Sequence, residues 1–504
     1  MKLKITLYQL LGGLAFLLFI NCEEKKKSEL VWQKEFYHIG SQSSPRAIDL
    51  NKDGVLDIIM GAAKGENKTT DQGVLAMDGN TGDLLWQQKA NDQVFGSATF
   101  HDINNDSVPD VFINGRSRVL MALNGVTGEK IWEYNYQYEN DSILRYAKFN
   151  FYNTVLIPDQ NNNGFPELLT VNGGNVRAAP NSEKNRFPGV LMLFDTKSGE
   201  ILAASLMPDS KESYMSPVYF EQPITKEGFI VFGSGGETIS GNLYLVSIAD
   251  FINDKLSKAE IVASEIQHGF IAPPSIADIN NDGFYDIIAI SHASKAIAID
   301  GKTQKELWKL KIPDTESSNG FAVGNFTNDN IPDFFTFVSK GIWPNNTGSK
   351  QIMIDGATGK LAYENSLGCT GFSSPVVYDL NNDDIDEAII SINEFDCERG
   401  YDNNNKLTIE NKLVAIDFKS KTANKIDGAF SFKNIFSTPL LSDINKDGYL
   451  DIVHVQNYSS NGDLLSFLGM QIKRISTNVP IQKSPLWGSY MGTLGNGIHP
   501  INKK

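Results

Sequence analysis

Cysteine is scarce in this chain, with three in 504 residues, which excludes a small disulfide-dense scaffold and a four-cysteine zinc site. His38, His101, His292, His454 and His499 fall at no metal-ligand spacing. Charged residues make up only 21% of the sequence, and no basic stripe interleaved with aromatics is present, so no nucleic-acid partner is expected. Beyond the first twenty residues no apolar run is long enough to cross a bilayer. There is no Gly-x-Ser-x-Gly, His-Glu-x-x-His or phosphate-binding loop to place a nucleophile, a zinc ion or a nucleotide. What remains is 43 glycines and a 41% hydrophobic composition, ample for the core of one large turn-rich domain.

The most informative feature is an acidic loop set between two short apolar strands. Three copies are complete: Asp49, Asn51, Asp53 and Asp57; Asp278, Asn280, Asp282 and Asp286; and Asp443, Asn445, Asp447 and Asp451, each with glycine at position 6 (Gly54, Gly283, Gly448). Oxygens at positions 1, 3 and 5 suit one hard cation, glycine permits the bend, and a carboxylate at position 9 closes the set from the next strand. Good turns need Asp, Asn and Gly too, but not acids at 1, 5 and 9 together. Asp102, Asn104, Asp106 and Asp110 keep every ligand with Ser107 in place of the glycine. Asp159, Asn161, Asn163 and Glu167 lose one charge, and Asp379, Asn381, Asp383 and Glu387 carry Asp384 at position 6. The weakest copy, Asn325 to Asp333, has only Asp329 and Asp333 as carboxylates. Several structural Ca2+ ions are therefore expected. Nineteen of the sixty acids sit at these positions, and the remaining 41 are outnumbered by 45 lysines and arginines. The net charge of −15 thus reflects metal ligation more than a cationic partner.

The loops recur every 47 to 64 residues except for one gap of 119. That gap hides a repeat without its loop, legible in Ser216 to Phe220, Gly228 to Gly233 and Asn242 to Val246, with EQPITKE in place of the metal turn. Each repeat holds four strand-sized segments, in the first Pro45 to Leu50, Leu56 to Gly61, Gly73 to Asp78 and Leu84 to Lys89. Four short strands at a period of about 55 residues predict an all-β chain, a single β-propeller of eight four-stranded blades, with seven as the alternative. Leu30 to Phe36 copies the last strand of a repeat, and the eighth repeat lacks one. The N-terminal strand is therefore expected to close the ring.

Strand, Asp-x-Asn-x-Asp-Gly-x-x-Asp, strand resembles the FG-GAP repeat of integrin α-chain propellers and of many bacterial surface proteins. The stretches Val74 to Trp86, Val119 to Trp132 and Ala296 to Trp308 resemble the tryptophan-docking repeats of quinoprotein-like propellers, where the Thr-Gly turn and the Trp lock adjacent blades. That second resemblance includes pyrroloquinoline quinone dehydrogenases, which are similar to one another in an adjacent cysteine pair beside a central cofactor. Here Cys369 and Cys397 lie far apart in sequence, so no PQQ is expected.

Lys2, Lys4, an apolar run from Ile5 to Ile20 and then Cys22 resemble a bacterial lipoprotein signal peptide. The expected organisation is a signal over 1–21, a tether over 22–29, the propeller over 30–490 and a C-terminal tail over 491–504. The expected location is extracytoplasmic, lipid-anchored at Cys22 in a bacterial membrane, at the outer membrane or cell surface. Cys369 and Cys397 fall on loops of one rim and form a candidate disulfide in an oxidising compartment.

The longest loops share that rim, opposite the acidic turns, and binding residues concentrate on elaborated loops of a rigid ring. Arg145, Tyr146, Arg177, Tyr214, Glu237, His268, Trp343, Arg399, Tyr401 and Tyr458 are its candidate contacts, since exposed aromatics and arginines anchor protein partners or stack on sugars. The reading is a monomeric, non-catalytic binding, scaffold or adhesion module for protein or glycan. The alternative is a propeller-type polysaccharide lyase of the rhamnogalacturonan kind, which rests on analogy of fold.

Overall fold

A computed structural model describes residues 28–175, 177–179, 182–342, 345–369, 372–397, 409–459 and 467–501. Among them are eight antiparallel sheets that form the blades of one propeller. Blade 1 consists of Arg46–Ile48, Asp57–Gly61, Thr70–Met77 and Leu84–Ala90, hydrogen-bonded in that order from the axis outward. Blades 2 to 7 repeat the plan. In blade 8 the outermost strand is Glu29–Tyr37, paired antiparallel with Gly469–Pro480. The chain therefore closes its ring with its first strand, and the ring has eight blades rather than seven.

The central residues of each blade's second strand are buried, and period-2 alternation explains how it serves two neighbours. Ile58 and Met60 pack with Val453, Val455 and Ile472 of blade 8. Ile59, between them, turns to the other face and packs with Val111, Ile113 and Met121 of blade 2. The core is thus a set of sandwiches between adjacent blades, and a one-residue slip would exchange the two faces.

Tryptophans on outer strands lock consecutive blades. The indole N–H of Trp32 donates to Gly79 O at 2.9 Å, Trp86 to Gly125 O at 2.8 Å, Trp132 to Thr196 O at 2.7 Å and Trp308 to Gly356 O at 2.8 Å. Each ring covers a turn glycine of the next blade, Gly82, Gly128, Gly199 or Gly359, all at positive φ. A Cβ there would come within 2.4–2.8 Å of the ring. Glycine is needed both for the backbone angle and for the approach of the indole. Blade 4, which lacks the acidic loop, joins blade 5 through Gln222, whose side chain accepts from Tyr285 N and donates to Tyr285 O.

The residues expected to form a tail over 491–504 are packed into the ring as far as 501. Segment 487–499 hydrogen-bonds the innermost strands of blades 5, 7 and 8: Ile276 N donates to Gly497 O, Val377 N to Trp487 O and Leu441 N to Gly488 O. Arg46 of blade 1 donates to Ser489 Oγ and to the carbonyls of Tyr490, Gly492 and Thr493. Innermost strands so far apart around the ring meet only at its axis, so this segment fills the central channel. No described helix is long and apolar enough to cross a membrane.

Candidate metal loops and partner rim

All seven acidic loops share one backbone conformation. Position 4 has positive φ in each (Lys52, Asn105, Asn162, Asn281, Asn328, Asn382, Lys446), and so does position 6. Glycine fills position 6 in four of them. Ser107, Asn330 and Asp384 adopt φ of 64–66° there, so even the copies without glycine keep the bend. In the first loop Asp49 accepts from Lys52 N at 2.7 Å and Gly54 N at 3.0 Å, and Asn51 accepts from Asp53 N at 2.9 Å. The side chains at 1, 3 and 5 are thus held inward by the loop's own amides.

The acid at position 9 has a second duty. Asp57 accepts from Leu50 N at 2.8 Å with one oxygen and from Gly79 N at 3.2 Å with the other. Asp110 bridges Ile103 N and Gly125 N, Asp286 bridges Ile279 N and Gly301 N, and Asp333 bridges Phe326 N and Gly356 N. Each carboxylate therefore ties its own loop to the outer-hairpin turn that receives the neighbouring blade, through a docking tryptophan at Gly79, Gly125 and Gly356 and through Gln222 at Gly301. Burial pushes these groups up, Asp57 and Asp333 to about 6, Asp286 to about 7 and Glu387 to about 8, against the opposing backbone N–H groups.

Four oxygens at loop positions 1 and 3 are buried and accept no hydrogen bond: Asp278 Oδ1, Asn325 Oδ1, Asn381 Oδ1 and Asn445 Oδ1. A buried acceptor without a donor costs about 1–3 kcal/mol. Orphaned oxygens at the positions where an oxygen-loving cation needs donors fit Ca2+. Among the described residues no three His, Cys, Asp or Glu side chains cluster as a metal site by themselves. Each complete loop carries three carboxylates, and the loop conformation does not gather them into a cluster of acids alone. One loop departs from the rest: Asp451 accepts from Arg474 Nη2 at 2.8 Å, and both side chains are 2% exposed. A fixed guanidinium charge already neutralises that carboxylate.

On the opposite rim the structure brings some candidates together and separates others. Arg145 lies 4.8 Å over the Tyr146 ring and donates to its hydroxyl. Tyr214 accepts from Arg186 Nη1, which also pairs with the fully buried Glu212. His268 Nδ1 is 2.7 Å from Glu237 O. Arg177 is held by the Asn175 turn, and Tyr458, 39% exposed, stands apart on blade 8 against Phe432. Trp343, Arg399, Tyr401 and Cys22 lie outside the described residues. Cys369 and Cys397, 28 positions apart, are joined by a disulfide with Cα atoms 5.0 Å apart.

Sequence reasoning missed one constellation. Ser391 Oγ is 3.1 Å from His454 Nε2, and His454 Nδ1 is 3.7 Å from Asp427 Oδ2. The types match a nucleophile, base and acid. However, Ser391 is 1% and His454 0% exposed, the second distance is too long for a hydrogen bond, and Asn411 also donates to the serine. This is a staple between blades 7 and 8, with Asp427 paired to the buried Lys473 at 2.8 Å. Burial alone would raise the Asp427 carboxyl, but His454 and Lys473 hold it well below the carboxylate range. Asp427→Asn should cost about 3 kcal/mol at pH 7, because a buried ammonium loses its counter-charge. A folded pKa below the unfolded one gives stability that is present above the unfolded value and lost as pH falls through the folded one. The difference between wild type and variant in denaturant titrations should therefore shrink below about pH 4, and a difference independent of pH would refute the pairing.

The family profile described as outer membrane protein assembly factor BamB matches residues 29–178, the closing strand, blades 1 and 2 and part of blade 3. No curated protein matches the chain. Among solved structures, a europium-containing methanol dehydrogenase aligns with a TM-score of 0.57 at 9% identity, covering 89% of this chain and 93% of its own. Quinohemoprotein alcohol dehydrogenase from Comamonas testosteroni aligns at 0.52 and 10% identity, covering 91% and 78%. BamB from Moraxella catarrhalis aligns at 0.47 and 11% identity, covering 89% and 99%. At such identities the likeness to solved structures shows the propeller fold alone.

Proposed function

We propose that this chain is a calcium-stabilised propeller, exported and anchored by lipid at Cys22, which acts without catalysis as a scaffold for a protein partner on its loop-rich rim. The match of residues 29–178 to an outer-membrane assembly-factor family is the observation that carries the scaffold reading. The occupied axis supports a reading without a quinone, since segment 487–499 fills the place where a central cofactor would sit. The disulfide supports it too, because Cys369 and Cys397 are not the adjacent pair that the quinone-enzyme resemblance implies. Burial of the Ser391, His454 and Asp427 group supports a non-catalytic role. For the metal, the orphaned loop oxygens are the support. Bound Ca2+ would supply charge that lets neighbouring carboxylates coexist, and the loop residues would hold it through the side chains at 1, 3, 5 and 9.

The test is in-cell crosslinking with a photoreactive residue at Tyr146, Glu237 or Tyr458, compared with Lys52 or Lys446 on the acidic rim. One discrete protein adduct from the first set, absent from the second, is the expected result. Adducts from the acidic rim alone would place the partner on the wrong face. Cys22→Ser should move the protein from the membrane to the soluble fraction, and unchanged fractionation would remove the lipid anchor from the reading.

A further inference from the structure

At the axis on the acidic rim, the loops of blades 6 and 7 and the C-terminal segment enclose a cavity of about 850 Å3. This is the face opposite the proposed partner rim. Two residues of the C-terminal segment supply polar groups to its lining. Trp487 is 2% exposed, and its indole N–H donates to no described residue, whereas those of Trp32, Trp86, Trp132 and Trp308 each donate to a carbonyl. His499 is 9% exposed, and its ring makes no hydrogen bond to a described residue. Neither residue belongs to an acidic loop, and both line the cavity.

Acceptors on the facing wall complement these groups. Asp386 accepts from Asn325 N at 2.7 Å with Oδ2, and its other oxygen accepts from no described residue. Lys483 lies close enough to bias Asp386 electrostatically but forms no ion pair with it. Tyr378 holds the C-terminal wall in place by accepting from Gln482 N at 3.1 Å. The cavity therefore sets an indole N–H and an imidazole on the axial segment opposite the Asp386 carboxylate of blade 7. Water satisfies such groups at rest, and a ligand that displaces it must reproduce the same hydrogen bonds.

We propose that this cavity binds a small neutral polyhydroxylated ligand, a mono- or disaccharide. A hydroxyl both donates and accepts, so a run of hydroxyls can serve the Asp386 carboxylate on one wall and an indole N–H and an imidazole on the other. Asp384 and Asp386, neither of them a loop ligand, outnumber Lys483 and disfavour an anion. The flat faces of Tyr378 and Pro485 suit the C–H surface of a sugar ring.

The test uses the chain from residue 28 onward in calcium and a panel of neutral hexoses, pentoses, N-acetylhexosamines and disaccharides, each at about 10 mM. Saturation-transfer NMR detects binding, and tryptophan fluorescence titration measures it. At least one sugar should bind, Asp386→Asn should weaken it at least about tenfold, Trp487→Phe should weaken it about threefold or more, and Tyr458→Ala on the opposite rim should leave it unchanged. If Asp386→Asn does not fold, Trp487→Phe and His499→Phe carry the test. Three outcomes overturn the proposal: no sugar binds, binding survives both cavity variants, or binding follows Tyr458.

Discussion

Chelation of calcium should lower the melting temperature of the chain from residue 28 onward by roughly 10 °C. A ligand that binds only the native state adds RT ln(1 + [L]/Kd) per site, about 2.7 kcal/mol at a hundredfold excess over Kd. Three filled loops would therefore contribute about 8 kcal/mol. The structure also ranks the loops. Asp282→Ala removes a ligand from a loop in which Asp278 Oδ1 is orphaned and the closing acid, Asp286, is pushed up to about 7, so it should lose most of one increment. Asp447→Ala acts in the loop whose closing acid is paired with Arg474 and should lose less. Calorimetry of the two variants with and without chelator, alongside metal analysis of untreated protein, measures the ranking. A melting curve indifferent to chelator, with no bound metal, would mean that the loops are turns held by their own amides.

Such a ranking was only half visible in the sequence. The spacing from Asp278 to Asp286 is local, and it led directly to the loops, their count and the eight blades. The closing strand Glu29–Tyr37 was equally legible, because a strand missing from one end of a repeat array must be supplied by the other. Hidden from that reading was everything that connects residues far apart in sequence. Asp57 accepts from Gly79, 22 positions on, and Arg474 reaches Asp451 from the next strand. No pattern marks either partner, because a backbone amide accepts any sequence and a lone arginine in a strand looks like surface. Ser107, Asn330 and Asp384 show the converse. They break the glycine rule in sequence and keep the fold in structure, since seven loops under one set of tertiary contacts impose the left-handed angle on whatever residue is present.

The axial segment was missed for the same reason, and Arg46 is where its docking can be tested. Residues 484–501 carry no strand alternation and are rich in glycine, which reads as a tail. Their partners are single hydrogen bonds on innermost strands separated by hundreds of residues. Arg46, 6% exposed, is the strongest of these. Its guanidinium donates to a serine hydroxyl and three carbonyls of the segment, and burial pushes its pKa down to about 10. Gly495 wraps so tightly that a Cβ would sit 2.4 Å from Nη2. Among the described residues no carboxylate forms an ion pair with it, the charge is held by carbonyl dipoles, and that geometry requires a planar fork. Arg46→Ala should therefore cost about 3–5 kcal/mol. It should also free 489–495, so that chymotrypsin cuts at Tyr490 or Leu494 in folded protein. Arg46→Lys keeps the charge but loses the fork, and should fall between wild type and alanine in both assays. If the alanine variant melts within about 1 °C of wild type and resists cleavage, the axial segment is held by its backbone hydrogen bonds alone and Arg46 is only a passenger at its side.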